Sequence, residues 1–427
     1  MRVIDSLRRQ GIGQTLGSVA VLLGVFLVAW LAPTHQGIAF GGAALLLAVG
    51  FMLTAPLFLF AAVFAAVFAY WRVGPASVNL SIGDAVTFLA LGAALPHVPW
   101  RSPALRRVLA GLGFYLTLLA VSVLAHPSSR ARTEWVHRAL LFGGAVLIGA
   151  AIAHREQIKN SLRALVFAAT IVALASIADA LTSGLQPAFP FGMHKNAAGP
   201  MLAMVAILLI AAPWKLEIRP SILRHIRIIV IIGVFATQSR GAGLALVVVI
   251  CIYAMRHKRA RQRAPVFFMT IALVLITVSV VTLQGQQENN PKFNGVTLRQ
   301  NTIDVALNDV WANHKLTGGG LKYFAATYNT AGGAEQIFIA ELAEAGLIGL
   351  LGLLVMLTNT WLVLQPRRDP MGEAAFLVFT LELLYALTAI FWVAGTLTLP
   401  MLVVGLAVGH DPSRSSPHES DDSFALT

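Results

Sequence analysis

The sequence predicts an all-α fold: a polytopic bundle of about 12–14 transmembrane helices with one long extracytoplasmic loop bearing short amphipathic helices. Three observations predict it. Apolar residues make up 57% of the 427 and charged residues only 12%, with a mean hydropathy of +0.76, whereas a soluble domain is roughly one-quarter charged. The apolar residues gather in runs close to the roughly 17–25 needed to span a bilayer. A single long polar interval, 284–336, interrupts them.

Taken in order, the runs lie near 14–32, 37–53, 55–71, 82–96, 108–125, 138–153, 163–182, 197–213, 226–238, 241–255, 265–283, 336–364, 374–392 and 395–409. The first is long enough to span and lacks a small-x-small exit, so it reads as a retained helix rather than a cleaved leader. The pairs 37–53/55–71 and 226–238/241–255 are close enough that each could be one element. The organisation is therefore helices over 1–283, a loop over 284–336, helices over 337–409 and a polar tail over 410–427. That tail is rich in Ser and Asp and is expected to be disordered.

Short loops set orientation through their basic residues. With the N-terminus inside, Arg8 and Arg9, Arg106 and Arg107, Lys215 and Arg219, Lys258 to Arg263, and Arg367 and Arg368 all fall on one side, which outnumbers the other about two to one in Lys and Arg. This map makes both termini cytoplasmic and the polar loop external, in an inner (cytoplasmic) membrane.

The net charge of +12 does not point to nucleic acid, because the basic residues sit in short separate runs and form no single exposed patch. One cysteine, Cys251, rules out an intrachain disulfide and a cysteine metal cluster. The chain has no GxxxxGK[ST] loop, no HExxH, no GxSxG and no acidic pair resembling a nucleotide-sugar metal site. No cofactor and no metal are expected.

Chemistry must then come from loops and helix ends. Arg240, in ATQSRGAG, stands where two apolar runs meet. An interfacial arginine is costly without a partner; it either snorkels to lipid phosphate or, with Gln238 and Ser239 beside it and glycines allowing close approach, forms an anion pocket. Arg299 opens an amphipathic stretch with Ile303, Ala306, Leu307, Val310 and Trp311 at helical spacing. Arg240 and Arg299 together could clamp a pyrophosphate, since guanidinium forks match phosphate oxygens and keep their charge.

In LTGGGLKYF, the glycines permit a tight turn or close backbone approach, and Lys322 and Tyr323 offer a cation and a stacking face for sugar. Glu335 and Gln336 stand at the entry to the next apolar run, where a carboxylate either caps the helix or accepts a proton from a sugar hydroxyl. Glu341 and Glu344 lie inside that run and need buried partners. His194, Lys195 and Asn196 begin another run, as a cap or a phosphate contact. His314 is a further loop imidazole, and Asp84 reads as a helix cap.

SRGAG, an arginine opening the long loop, TGGGLKYF where relatives carry Pro-Leu-x-Gly-x-Gly-x-x-x-Phe, and AELAEAGLIGLLGLL, in that order, resemble the Wzy/O-antigen ligase superfamily, most sharply from about 190 to 355. The resemblance implies a metal-independent, inverting membrane glycosyltransferase with an undecaprenyl-pyrophosphate-linked oligosaccharide as donor. Its pyrophosphate-holding arginines fall on Arg240 and Arg299. Ligase relatives place a His-Asn pair where this chain has Glu335-Gln336, so Glu335, or else His314 or His194, becomes the base. The expectation is a polymerase of exopolysaccharide or O-antigen. Glu335, Arg240 and Arg299 would be catalytic, and His194, Lys195, Asn196, Gln238, Ser239, His314, Lys322, Tyr323 and Gln336 would bind substrate. The alternatives are an O-antigen ligase acting on lipid A core and, in another class, a transporter or flippase. Expected partners are the lipid bilayer, the lipid-linked glycan and a chain-length or export complex.

Overall fold

A computed structural model describes residues 56–69, 72–73, 80–211, 218–257, 303–323, 336–387 and 395–410. The runs expected at 14–32, 37–53 and 265–283, and the tail, lie outside the described residues. The chain divides into two compact units, Met1–Leu59 and Phe60–Thr427. Only the second is described at length.

The regular elements among the described residues are helical apart from a two-residue antiparallel ladder, β1 (Arg72–Val73) with β2 (Leu80–Ser81). The helices are α1 (Pro56–Ala66), α2 (Ile82–Ala94), α3 (Pro103–Ala125), α4 (Ser129–His154), α5 (Ile158–Thr182), α6 (Lys195–Ala211), α7 (Pro220–Ala236), α8 (Arg240–Arg256), α9 (Ile337–Leu364), α10 (Pro370–Ala386) and α11 (Thr398–Gly409). Four of them, α3, α4, α5 and α9, are long and apolar enough to cross a membrane; even the shortest, with 23 residues, measures about 34 Å at 1.5 Å per residue, against a hydrocarbon core of about 30 Å. The expected helical membrane bundle is thus observed, and the close pair 226–238/241–255 is two helices.

Local chemistry explains the boundaries. Ser81 caps α2 in a capping box with Asp84, which confirms Asp84 as a cap. Ser102, Ser128 and Asp369 accept backbone N–H groups at the starts of α3, α4 and α10. α4 departs from the expected 138–153: it begins at Ser129, and its polar first turns, SRARTEWVHR, belong to the same rod as the apolar segment, joined through a π-turn at Leu140–Gly144. Arg138, at the expected start of that run, is therefore inside the bundle.

Packing relies on small residues, as in membrane bundles generally. α4 and α11 press backbone to backbone: a Cβ on Gly149 would lie 2.1 Å from the Leu402 carbonyl oxygen, and one on Gly405 2.3 Å from that of Val146. α6, α10 and α11 are buried over nearly their whole lengths and form the centre. At one end of the bundle, Glu373 on α10 takes Arg256 at 3.2 Å and His257 at 2.9 Å, and Arg367 pairs with Asp369 at 3.0 Å. There too Ser102 donates to the Val408 carbonyl. These are all ends that the basic-residue map assigns to one side.

Candidate functional site

Two groups of expected site residues are assembled by the fold. The first lies where α6 and α8 begin. Ser239 is the N-cap residue of α8, and Arg240 is its first, exposed residue. The Ser239 hydroxyl lies 3.5 Å from the Asn196 side-chain oxygen. Gly199 lets the two helices approach this closely, since a Cβ there would meet the Ser239 Cβ at 2.5 Å. The Tyr385 hydroxyl donates to the Asn196 carbonyl, and the Asn196 N–H donates to His194 Nδ1 at 3.2 Å. Gln238 takes a left-handed φ of 53°, its Nε2 donates to the Leu185 carbonyl at 2.7 Å, and its buried Oε1 accepts no hydrogen bond among the described residues. The Asn196–Ser239 contact thus brings the N-termini of two helices together, with His194 and Lys195 at the start of one and Gln238 and Arg240 at the start of the other, and helix N-termini favour anions through their dipoles and N–H groups.

The second group is built around a break in α9. At Gly346 (φ 68°, ψ −165°) the helix is interrupted, in a backbone region essentially restricted to glycine. The loop stretch 315–320 lies in the break and satisfies the freed backbone groups. Gly319 and Gly320 N–H donate to the Ala343 and Glu344 carbonyls at 2.8 and 2.9 Å, while Leu347 and Ile348 N–H donate to Lys315 and Leu316 at 3.0 and 3.2 Å. Ser122 on α3 donates to the Thr317 carbonyl at 2.7 Å. Gly318 is therefore a packing requirement, because its Cβ would fall 2.4 Å from the Glu344 backbone. The amphipathic stretch before it is helical, with a π-turn over Ala306–Trp311. Its Ala306 and Val310 pack against Ala343 on α9, with Ile339 and Tyr323 alongside, whereas Leu307 remains exposed. The face expected on membrane or helices is on a helix.

Beneath this junction lies an ion network that the sequence only half announced. Arg138, 0% exposed, reaches Glu134 at 3.1 Å, Glu341 at 2.6 Å and Glu344 at 3.2 Å, and donates to the Tyr115 hydroxyl at 3.0 Å. Tyr115 in turn donates to Glu341 at 3.1 Å. Glu134 also holds Lys322 at 3.3 Å and faces His137 at 3.6 Å, and His137 contacts Asp84 at 3.1 Å. Glu341 and Glu344 demanded buried partners. The run expected at 138–153 leaves Arg138 at a helix end and Glu134 in the stretch before it, although the two stand at i,i+4, the spacing of a helical ion pair.

Lys322 and Tyr323 line a cleft of about 590 Å³ with the turn from Ala125 to Arg130. His126 forms its floor, with Nε2 3.2 Å from the Thr317 hydroxyl and its ring edge-on to His314 at 5.2 Å. Burial and then the neighbouring His314 push the His126 pKa down, against a raising hydrogen bond at Gly318. Gln336 is the N-cap residue of α9 but makes no side-chain cap. Glu335 and Arg299 lie outside the described residues. Among the described residues no His, Cys, Asp and Glu cluster suits a metal.

Residues 225–354 match the family model of the O-antigen ligases. That segment is similar to the O-antigen ligase family. It supports the Wzy/O-antigen ligase superfamily and a membrane function of the ligase or polymerase type, glycosyltransferase-like in its chemistry. The matched segment contains Arg240, Arg299, Lys322, Tyr323, Glu335, Gln336, Glu341 and Glu344, but not His194, Lys195, Asn196 or Arg138. The transporter alternative gains nothing from it. No curated protein matches the chain.

Proposed function

We propose that the protein is an inverting glycosyltransferase of the external membrane face that polymerises undecaprenyl-pyrophosphate-linked repeat units into exopolysaccharide or O-antigen. The observation carrying this reading is the meeting of Asn196 with Ser239, next to Arg240, at two helix N-termini, on a chain whose 225–354 segment matches the family model of the O-antigen ligases. Arg240, with Arg299, would hold the pyrophosphate and neutralise it as it departs, a charge task that two guanidinium groups can perform in a poorly hydrated site without a divalent metal.

In the reaction, the acceptor hydroxyl oxygen bonds to the anomeric carbon from the face opposite the pyrophosphate. The bond from that carbon to the pyrophosphate oxygen breaks, and its electron pair leaves with the lipid diphosphate. The hydroxyl proton passes to the Glu335 carboxylate. Glu335-Gln336, in place of the His-Asn of ligase relatives, favours the polymerase over transfer to lipid A core.

The test is glycan length in a deletion strain complemented with variants. Polymerase function predicts single repeat units on the carrier without the gene, long chains with the wild type, and single units again with Arg240→Ala. Full-length polymer left unattached to core would instead mark a ligase, and glycan retained on the cytoplasmic side a flippase.

A further inference from the structure

We propose that the cleft between the Ala125–Arg130 turn and the 319–323 turn is a subsite for a sugar bearing an acidic group, a carboxylate or a phosphate, read by Arg130 and Lys322. This rests on the chain acting on glycans and goes beyond it by naming their charge. The cleft, at about 590 Å³, is in the range of small-ligand pockets. Its wall carries Arg130, Lys322 and His126, and among the described residues no carboxylate lines it.

The two cations are presented differently. Arg130 is exposed and, among the described residues, has neither ion pair nor hydrogen bond, so its planar fork is available to an oxyanion. Lys322 is held in place. It adopts a left-handed φ of 62°, which long side chains rarely take and which at functional sites signals a surrounding structure that over-determines it. Its ammonium is tied to Glu134 at 3.3 Å yet stays 33% exposed, leaving N–H donors over for a ligand. Glu134 does not cancel the cleft's charge from the front, because it is 5% exposed and is shared with Arg138 and His137 behind the wall. Tyr323 and the His126 ring add flat faces against which a pyranose can lie.

The experiment uses the full-length protein in lipid nanodiscs. Three probes are titrated by thermophoresis: a tri-uronate oligosaccharide, the neutral trisaccharide of the same linkage, and inorganic phosphate. The subsite predicts the tri-uronate binding about tenfold or more tighter than the neutral probe, and that ratio falling toward one in Arg130→Gln and in Lys322→Gln. Phosphate competing with the tri-uronate as strongly as the tri-uronate itself would assign the charge to phosphate; no competition assigns it to the carboxylate. Equal binding of acidic and neutral probes, no binding of either, or an unchanged ratio in both variants overturns the subsite. Unchanged thermal unfolding of the variants guards against misfolding, and Arg130→Lys, which keeps charge but loses the fork, should retain part of the ratio. Transfer from a lipid-linked donor is measured in the same nanodiscs. Charge preference without transfer would remove the glycosyltransferase reading alone, and transfer without charge preference the subsite alone.

Discussion

Truncating Arg138 would leave the carboxylates of Glu134, Glu341 and Glu344 in a dry interior without their common cation. Removing one partner of a buried ion network costs about 3–5 kcal/mol, so Arg138→Ala should unfold at markedly lower temperature or denaturant. Arg138→Lys should recover only part, since one ammonium cannot reach three carboxylates and Tyr115 in the geometry of a fork. An Arg138→Ala protein as stable as the wild type in nanodisc denaturation would remove the network from the account. His126 offers a pH test. Burial and His314 place its native pKa below the ordinary 6.5, so between those values the unfolded chain binds more protons than the native one. The stability that His126 contributes is therefore complete above about pH 6.5 and is lost as pH falls through its native pKa. Comparing wild type with His126→Gln across pH 8 to 5, the difference in unfolding temperature should shift in favour of the variant on the acid side; a pH-independent difference would contradict the assignment.

At the scale of elements, the break in α9 is the feature on which the loop depends. Four backbone hydrogen bonds join 315–320 to 343–348, and irregular backbone in a membrane helix persists only where protein satisfies it. Gly346→Ala puts a Cβ 2.2 Å from the Leu316 carbonyl oxygen at a φ of 68°, and should cost about 1–3 kcal/mol of local strain. The expected result is faster proteolytic cutting near 315–323 and lost transfer in a chain that still inserts; unaltered cutting would mean that the loop is held otherwise. The sequence made TGGGLKYF and AELAEAGLIG legible as neighbouring motifs, but not as partners, because nothing local marks that the glycines of one fill the gap opened by the glycine of the other. It likewise hid the polar first turns of α4, whose charges look like solvent-facing loop until Glu341 and Glu344 supply a buried counter-surface.

At the scale of the whole molecule, hydropathy alone located most of the described helices within a few residues, since a bilayer demands uninterrupted apolar length. The contacts Arg256–Glu373 and Ser102–Val408 each join ends that the basic-residue map puts on one side, and His126–Thr317 and Ser239–Asn196 each join segments that it puts on the other. In a Cys251→Ala background, a cysteine at Arg130 should therefore react with a membrane-impermeant maleimide in intact spheroplasts and one at Arg368 only after permeabilisation; the reverse pattern would invert the map. The candidate site residues were less legible, because neither the meeting of 194–196 with 239–240 nor the cleft between 126–130 and 319–323 can be read as a contact until the chain is folded. The account is tested most directly by supplying purified protein in nanodiscs with a lipid-pyrophosphate-linked repeat unit and following polymer and released polyprenyl pyrophosphate together. It predicts that both appear with the wild type, that Arg240→Ala and Arg299→Ala each lose them at least about a hundredfold, and that Arg299→Lys recovers little; near-normal rates in the two alanine variants would contradict it.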